Sequence, residues 1–185
     1  MSLTNLKRCI AGGLALALCN FASLVSAEGY IGGSAGITSV DVCDDLSGLG
    51  VTSCDDEDTG FKIFGGYKFN PNFAVEGLWA DLGEVSATGP GGSASVEVDG
   101  FGAAAVGVIP LNEKFSIFGK VGAFMWDASG GGGAAGSDDD GTDIMFGAGV
   151  GWNFTPKFGL RAEWERFDID GDDVDFLSVG LQFNF

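Results

Sequence analysis

Leu177-Ser178-Val179-Gly180-Leu181-Gln182-Phe183-Asn184-Phe185 closes the chain. The odd positions are all apolar, and the even positions are small or polar. A strand puts alternate side chains on opposite faces, so this segment reads as a strand with one wholly apolar face. Seven earlier segments carry the same alternation. The strand-like runs are 29–39, 59–69, 73–83, 95–108, 115–126, 142–154, 158–168 and 174–185.

The connections between them alternate in character. Asn70-Pro71-Asn72, Pro110 to Lys114 and Thr155-Pro156-Lys157 are short and made of turn-forming residues. The other connections, 40–58, 84–94, 127–141 and 169–173, read as mostly longer loops. Parity assigns the faces. In the sixth run Ile144, Phe146, Ala148, Val150, Trp152 and Phe154 share one side; Asp143, Met145, Gly147, Gly149, Gly151 and Asn153 share the other. Aromatic residues gather at the short-turn end: Tyr67, Phe69, Phe73, Phe115, Trp152, Phe154, Phe158, Phe183 and Phe185. A soluble sandwich has no reason to collect outward aromatics at one rim, whereas a membrane barrel sets such a girdle at each interface. Trp79 and Trp164 are expected to mark the second interface.

The N-terminus carries an export signal. Lys7 and Arg8 form a basic start, residues 10–25 an apolar run, and Val25-Ser26-Ala27 a small-residue cleavage site. Residues 1–27 are therefore expected to be removed, leaving 28–185 as one domain. Leu18 is too large for lipoprotein cleavage before Cys19. No other segment is apolar for long enough to span a bilayer as a helix, and the only other spanning structure is a closed barrel. The expected fold is all-β: an eight-stranded, antiparallel, up-and-down transmembrane β-barrel in the outer membrane of a Gram-negative-type cell. A closed barrel has no edge to cover, so a monomer is expected.

Charge excludes one class of partner. The formal net charge is −17, and the signal segment contains basic residues but no acidic ones. Nucleic-acid binding needs a basic face and is not expected. Cys43 and Cys54 are the cysteines left after the signal. Both lie in one acidic loop of an exported chain, where a disulfide worth up to ~3 kcal/mol is expected. Two cysteines without histidine cannot complete a tetrahedral metal set.

Phe61-Lys62-Ile63-Phe64-Gly65-Gly66-Tyr67-Lys68-Phe69-Asn70, then Phe73-Ala74-Val75-Glu76 and Asp81-Leu82-Gly83, resembles the second hairpin of OmpA-like and opacity-type small outer-membrane barrels. The terminal Leu181-Gln182-Phe183-Asn184-Phe185 resembles the signal read by the barrel-assembly machinery, with Phe183 and Phe185 its key residues. The resemblance covers essentially all of 28–185. It implies a structural, surface-facing role in envelope integrity, contact with other cells through the outer loops, and outer-membrane lipid and lipopolysaccharide as neighbours. OmpA proper also carries a periplasmic peptidoglycan-binding domain, so cell-wall anchoring is not part of the expectation.

Three groups of residues bear on chemistry. The chain contains no histidine and no Gly-x-Ser-x-Gly. No nucleophile-base pairing is visible, so neither an enzyme nor a cofactor is expected. Glu76, Lys120, Arg161 and Glu163 all point inward at similar heights. Charges inside a barrel just wide enough for side chains must pair. They form either a self-satisfied plug or, as suggested for OmpA-like barrels, a gate over a narrow passive pore. The loop around Asp168, Asp170, Asp172 and Asp173 is rich in carboxylates and holds Gly171. It is a candidate cation contact or a solvated face, and it lacks the EF-hand spacing.

Overall fold

The computed structural model describes residues 28–40, 53–55, 57–89, 92–132 and 138–185. The strands are β1 Glu28–Val40, β2 Ser53–Asp55, β3 Glu57–Asn70, β4 Phe73–Gly89 and β5 Gly92–Pro110. They continue with β6 Phe115–Gly132, β7 Asp138–Asn153, β8 Phe158–Ile169 and β9 Asp172–Asn184. All pairings are antiparallel. Each long strand pairs with its sequence neighbour, and β1 pairs with β9, so the sheet closes. β2 is not a separate stave; it pairs with the outer end of β4. The result is an eight-stranded barrel, as the alternation predicts.

The stagger of the barrel can be followed from partner to partner. Starting at Tyr30, the inward row runs through Gly66, Glu76, Ala104, Gly122, Met145, Phe167 and Val174. It returns to β1 at Val40, ten residues above its start. Such a shear tilts the strands and staggers residues that share a height.

Local chemistry explains the short turns. Asn70 Oδ1 accepts the amides of Asn72 and Phe73 at 2.8 and 2.9 Å. Asn112 Oδ1 accepts those of Lys114 and Phe115, both at 2.9 Å. Thr155 Oγ1 accepts those of Lys157 and Phe158 at 3.3 and 2.9 Å. In each case a side chain at the start of the turn satisfies the amides that the strands leave free.

The outer connections differ from expectation. β4 and β5 stay paired from Glu84↔Glu97 out to Gly89↔Gly92, so most of the expected loop 84–94 is hairpin. A bulge between Asp81 and Glu84 makes this extension possible. Gly83 there takes φ 81°, and Asp81 Oδ1 accepts its amide at 3.0 Å. The expected loop 169–173 is a two-residue turn. Asp170 and Gly171 have φ of 53° and 92°, the paired positive values that an Asp-Gly hairpin turn of type I′ requires.

The burial pattern is inverted relative to a soluble sandwich. Leu177, Val179 and Leu181 are 63 %, 60 % and 57 % exposed. Tyr67, Phe69, Phe73, Phe115, Trp152, Phe154, Phe158 and Phe185 are exposed at the turn end. Part of this group forms a continuous belt, with rings in sequence from Phe115 through Trp152, Phe154, Phe158 and Phe183 to Phe185 at 5.1–6.3 Å. At the other end the outward face turns polar. Asp81, Asp99 and Asp127 are register partners there, and Trp79 Nε1 donates to Asp99 at 3.2 Å. Trp164 packs edge-on against Phe146 at 5.8 Å.

Candidate functional site

Inward parity on β3, β4, β6 and β8 brings Lys62, Glu76, Lys120, Arg161, Glu163 and Glu165 into the barrel interior, where all six are buried. Lys120 Nζ lies 3.1 Å from Glu76 Oε1, 2.7 Å from Glu163 Oε2 and 2.6 Å from Glu165 Oε1. Arg161 Nη1 lies 2.7 Å from Glu76 Oε2, and its Nε lies 3.0 Å from Glu163 Oε1. Lys62 pairs with Glu163 at 3.2 Å and with Glu165. Tyr30 donates its hydroxyl to Glu76 Oε2 at 2.9 Å.

Three cations thus face three carboxylates. Mutual neutralisation is the condition under which charges can persist at this depth, because an uncompensated ion costs several kcal/mol. Aromatic rings hold the arrangement further. The Arg161 guanidinium sits 4.4 Å from the Phe64 ring centroid and 4.5 Å from that of Phe118, between two π faces. Gln182 Oε1 accepts from Arg161 Nη1 at 3.3 Å, and Gln182 Nε2 donates to Asn184 Oδ1 at 2.6 Å.

The structure brings together all four residues expected in the interior network, Glu76, Lys120, Arg161 and Glu163. It adds Lys62 and Glu165. Lys62 alternates with the outward Phe61 and Ile63, so its inward direction was readable from parity. Glu165 has the same inward parity as Arg161 and Glu163. Counting residues up from the turns sets both above the other four. The shear and the reach of the Lys62 stem bring them into contact.

At the β8–β9 turn Asp168 and Asp173 bind groups of the chain itself. Asp168 Oδ1 accepts the amide of Gly171 at 3.2 Å. Asp173 Oδ2 accepts from Arg166 Nη1 at 2.8 Å, and Asp175 binds Arg166 through two contacts of 2.7 Å. Asp170 and Asp172 are exposed. Among the described residues no three His, Cys, Asp or Glu are grouped to hold a metal ion. Cys43, and with it the expected disulfide to Cys54, lies outside the described residues. Phe183 and Phe185 stand in the aromatic belt at the turn end.

Comparison with known proteins agrees with this architecture. The model of the outer membrane protein beta-barrel domain matches residues 11–185. Outer membrane protein A of Escherichia coli O157:H7 is 25 % identical over 186 residues, covering 93 % of this chain and 53 % of that protein. Outer membrane protein A of Salmonella typhi is 24 % identical over 139 residues, covering 68 % and 40 %. The chain therefore spans about half or less of these relatives. Among solved structures, Ail of Yersinia pestis has a TM-score of 0.59 at 20 % identity, covering 88 % of this chain and 100 % of that one. The N-terminal barrel of Pseudomonas aeruginosa OprF has a TM-score of 0.60 at 11 % identity, covering 87 % and 98 %. With its closed barrel, lipid-facing apolar surface and matching domain, the chain belongs to the outer membrane protein beta-barrel family, among the OmpA-like small barrels of the outer membrane.

Proposed function

We propose that this protein is a non-enzymatic barrel with a structural and surface-contact role: it supports envelope integrity and presents acidic outer loops to other cells, host molecules or ions. One observation carries the reading. Among the described residues the interior is filled by the chain's own side chains, a neutral six-residue ionic cluster and packed apolar residues, with a cavity of about 60 Å³ at the turn end. What the barrel offers to the outside is its loop surface. Divalent cations bridging loop carboxylates to anionic outer-leaflet lipid fit this role, as does assembly by the machinery that reads Phe183 and Phe185.

The test uses cells lacking the protein, complemented with wild type or with a variant whose outer-loop aspartates are asparagines. Detergent sensitivity reads envelope integrity, and adherence to a cell layer reads surface contact. The reading expects wild type to restore both and the loop variant to lose adherence. If deletion alters neither, the reading is wrong.

A second reading, a narrow passive channel gated by interior charges, draws on the partners of Lys120. Its ammonium reaches Glu76, Glu163 and Glu165 at once, and such a cation can change partners without leaving the cluster. Single-channel recording on refolded 28–185 tests it. Discrete openings that change with Lys120→Met favour the channel, and electrical silence at all potentials removes it.

A further inference from the structure

The interior on the two sides of the ionic cluster is unlike. On the turn side a cavity of about 60 Å³ reaches inward past Lys68, Asn153, Ser116 and Gln182 to Tyr30 and Arg161. Its lining is mixed, with Ala74, Val106, Val108, Phe118 and Leu160 beside these polar groups, and it is roomy enough for water to reach the guanidinium from that end. On the outer side the next inward residues are mostly apolar, with Thr38 beside Phe176 and Asp143 beside Phe124 as the polar members, and Asp143 accepts from Trp126 Nε1 at 2.8 Å. Phe167 and Ile169 follow Glu165 on β8, Phe124 and Trp126 follow Lys120 on β6, and Phe176 and Val174 lie outward of Ser178 on β9. Phe124, Met145, Phe167 and Phe176 are each 0 % exposed. The Phe124 and Phe167 rings meet with centroids 4.7 Å apart. Phe176 is the register partner of Glu165, and Met145 of Phe167, so this layer sits directly on the cluster.

We propose that this apolar layer, and not the ionic cluster, is the permeability barrier of the barrel, and that the cluster is hydrated from the turn end only. An ion crossing a dry apolar constriction must shed its water with nothing to replace it, and such constrictions close channels by dewetting. Exchange of partners within the cluster leaves that obstacle in place. The three carboxylates that Lys120 contacts all lie within the cluster, so exchange among them does not require Phe124 and Phe167 to separate. Arg161, held between two rings, is poorly placed to swing. A conducting path needs the aromatic layer to part. The aromatic layer is independent of the surface-contact role and takes the place of the charged gate as the obstacle to ions.

The test is conductance of refolded 28–185 in planar bilayers, with strand content checked by circular dichroism. Phe124→Ser/Phe167→Ser is expected to raise conductance by roughly an order of magnitude or more over wild type, because a wetted constriction passes ions. Met145→Ser, a single flexible side chain in the same layer, is read in the same way if the double variant does not fold. Val150→Ala, on the lipid face, serves as the control. The proposal is overturned if folded layer variants remain as closed as wild type. It is equally overturned if Glu163→Gln, with the aromatic layer intact, conducts as freely as the layer variants.

Discussion

Gly29 and Phe185 exchange both of their backbone hydrogen bonds, Gly29 N to Phe185 O at 3.1 Å and Phe185 N to Gly29 O at 2.9 Å. The last residue of the chain thus completes the seam that joins β1 to β9. Deleting Phe185 removes both bonds and the end of the aromatic belt. Net hydrogen-bond values of about 0.5–1.5 kcal/mol each make the loss about 1–3 kcal/mol. Refolding into lipid vesicles, followed by the gel-mobility shift of the folded barrel, should show a smaller and slower folded fraction. Phe185→Leu, which keeps the backbone pair, should recover much of it.

Arg161→Ala leaves Glu76 and Glu163 without their guanidinium partner and takes away the group between Phe64 and Phe118. Breaking a buried pair on one side costs about 3–5 kcal/mol. The urea midpoint of the folded barrel in detergent should fall accordingly. Arg161→Met/Glu76→Met, which removes a cation and an anion together, should be less destabilised than the single variant. An additive pair of effects would show that the two residues are not coupled.

Two glycines on opposite faces differ in the space around them. A Cβ at Gly122 would press on the backbone of Ala103 and Ala104 across the β5–β6 pair. At Gly77, on the lipid face, the nearest atom would be 3.9 Å away. Gly122→Val should therefore destabilise by about 1–3 kcal/mol through overpacking. Gly77→Ala should stay within about 0.5 kcal/mol of wild type. Equal effects in chemical unfolding would contradict this assignment of faces.

Asp58 stands at the outer rim, beyond Phe61, whose register partner is Asp81. The amide of Glu84 binds its Oδ2 at 2.7 Å and that of Thr59 its Oδ1 at 2.7 Å. These donors hold the carboxyl below the ordinary aspartate range, Glu84 first and Thr59 second. Because the native pKa is the lower one, the contribution to stability is complete above the unfolded value of about 4. It is lost as pH falls through the native value. Wild type and Asp58→Ala should differ in amide exchange at Glu84 near neutral pH and converge in acid. A difference that persists at the acid end would place the effect elsewhere.

The residues themselves determined a good deal. Strict alternation in 174–185 identified a strand and its two faces, and the same alternation elsewhere counted the staves. Asn70, Asn112 and Thr155 marked the tight turns because their side chains serve the turn amides directly. Outward aromatics at one rim identified the membrane interface. These are local properties, set by period two and by side chains acting on amides within three residues of themselves.

Tertiary structure decided what depends on stagger. Alternation says which face a residue takes but not its height, and a shear of ten residues displaces heights progressively around the barrel. For that reason Lys62 and Glu165 join the cluster only once the strands are tilted and closed. The same closure stacks Phe124, Met145, Phe167 and Phe176, from four different strands, into one layer. The outer hairpins follow a similar logic: the bulge at Gly83 lets β4 remain paired where composition reads as loop. Pairing register is a relation between distant segments, set by the best joint packing of all the strands, and no single strand contains it.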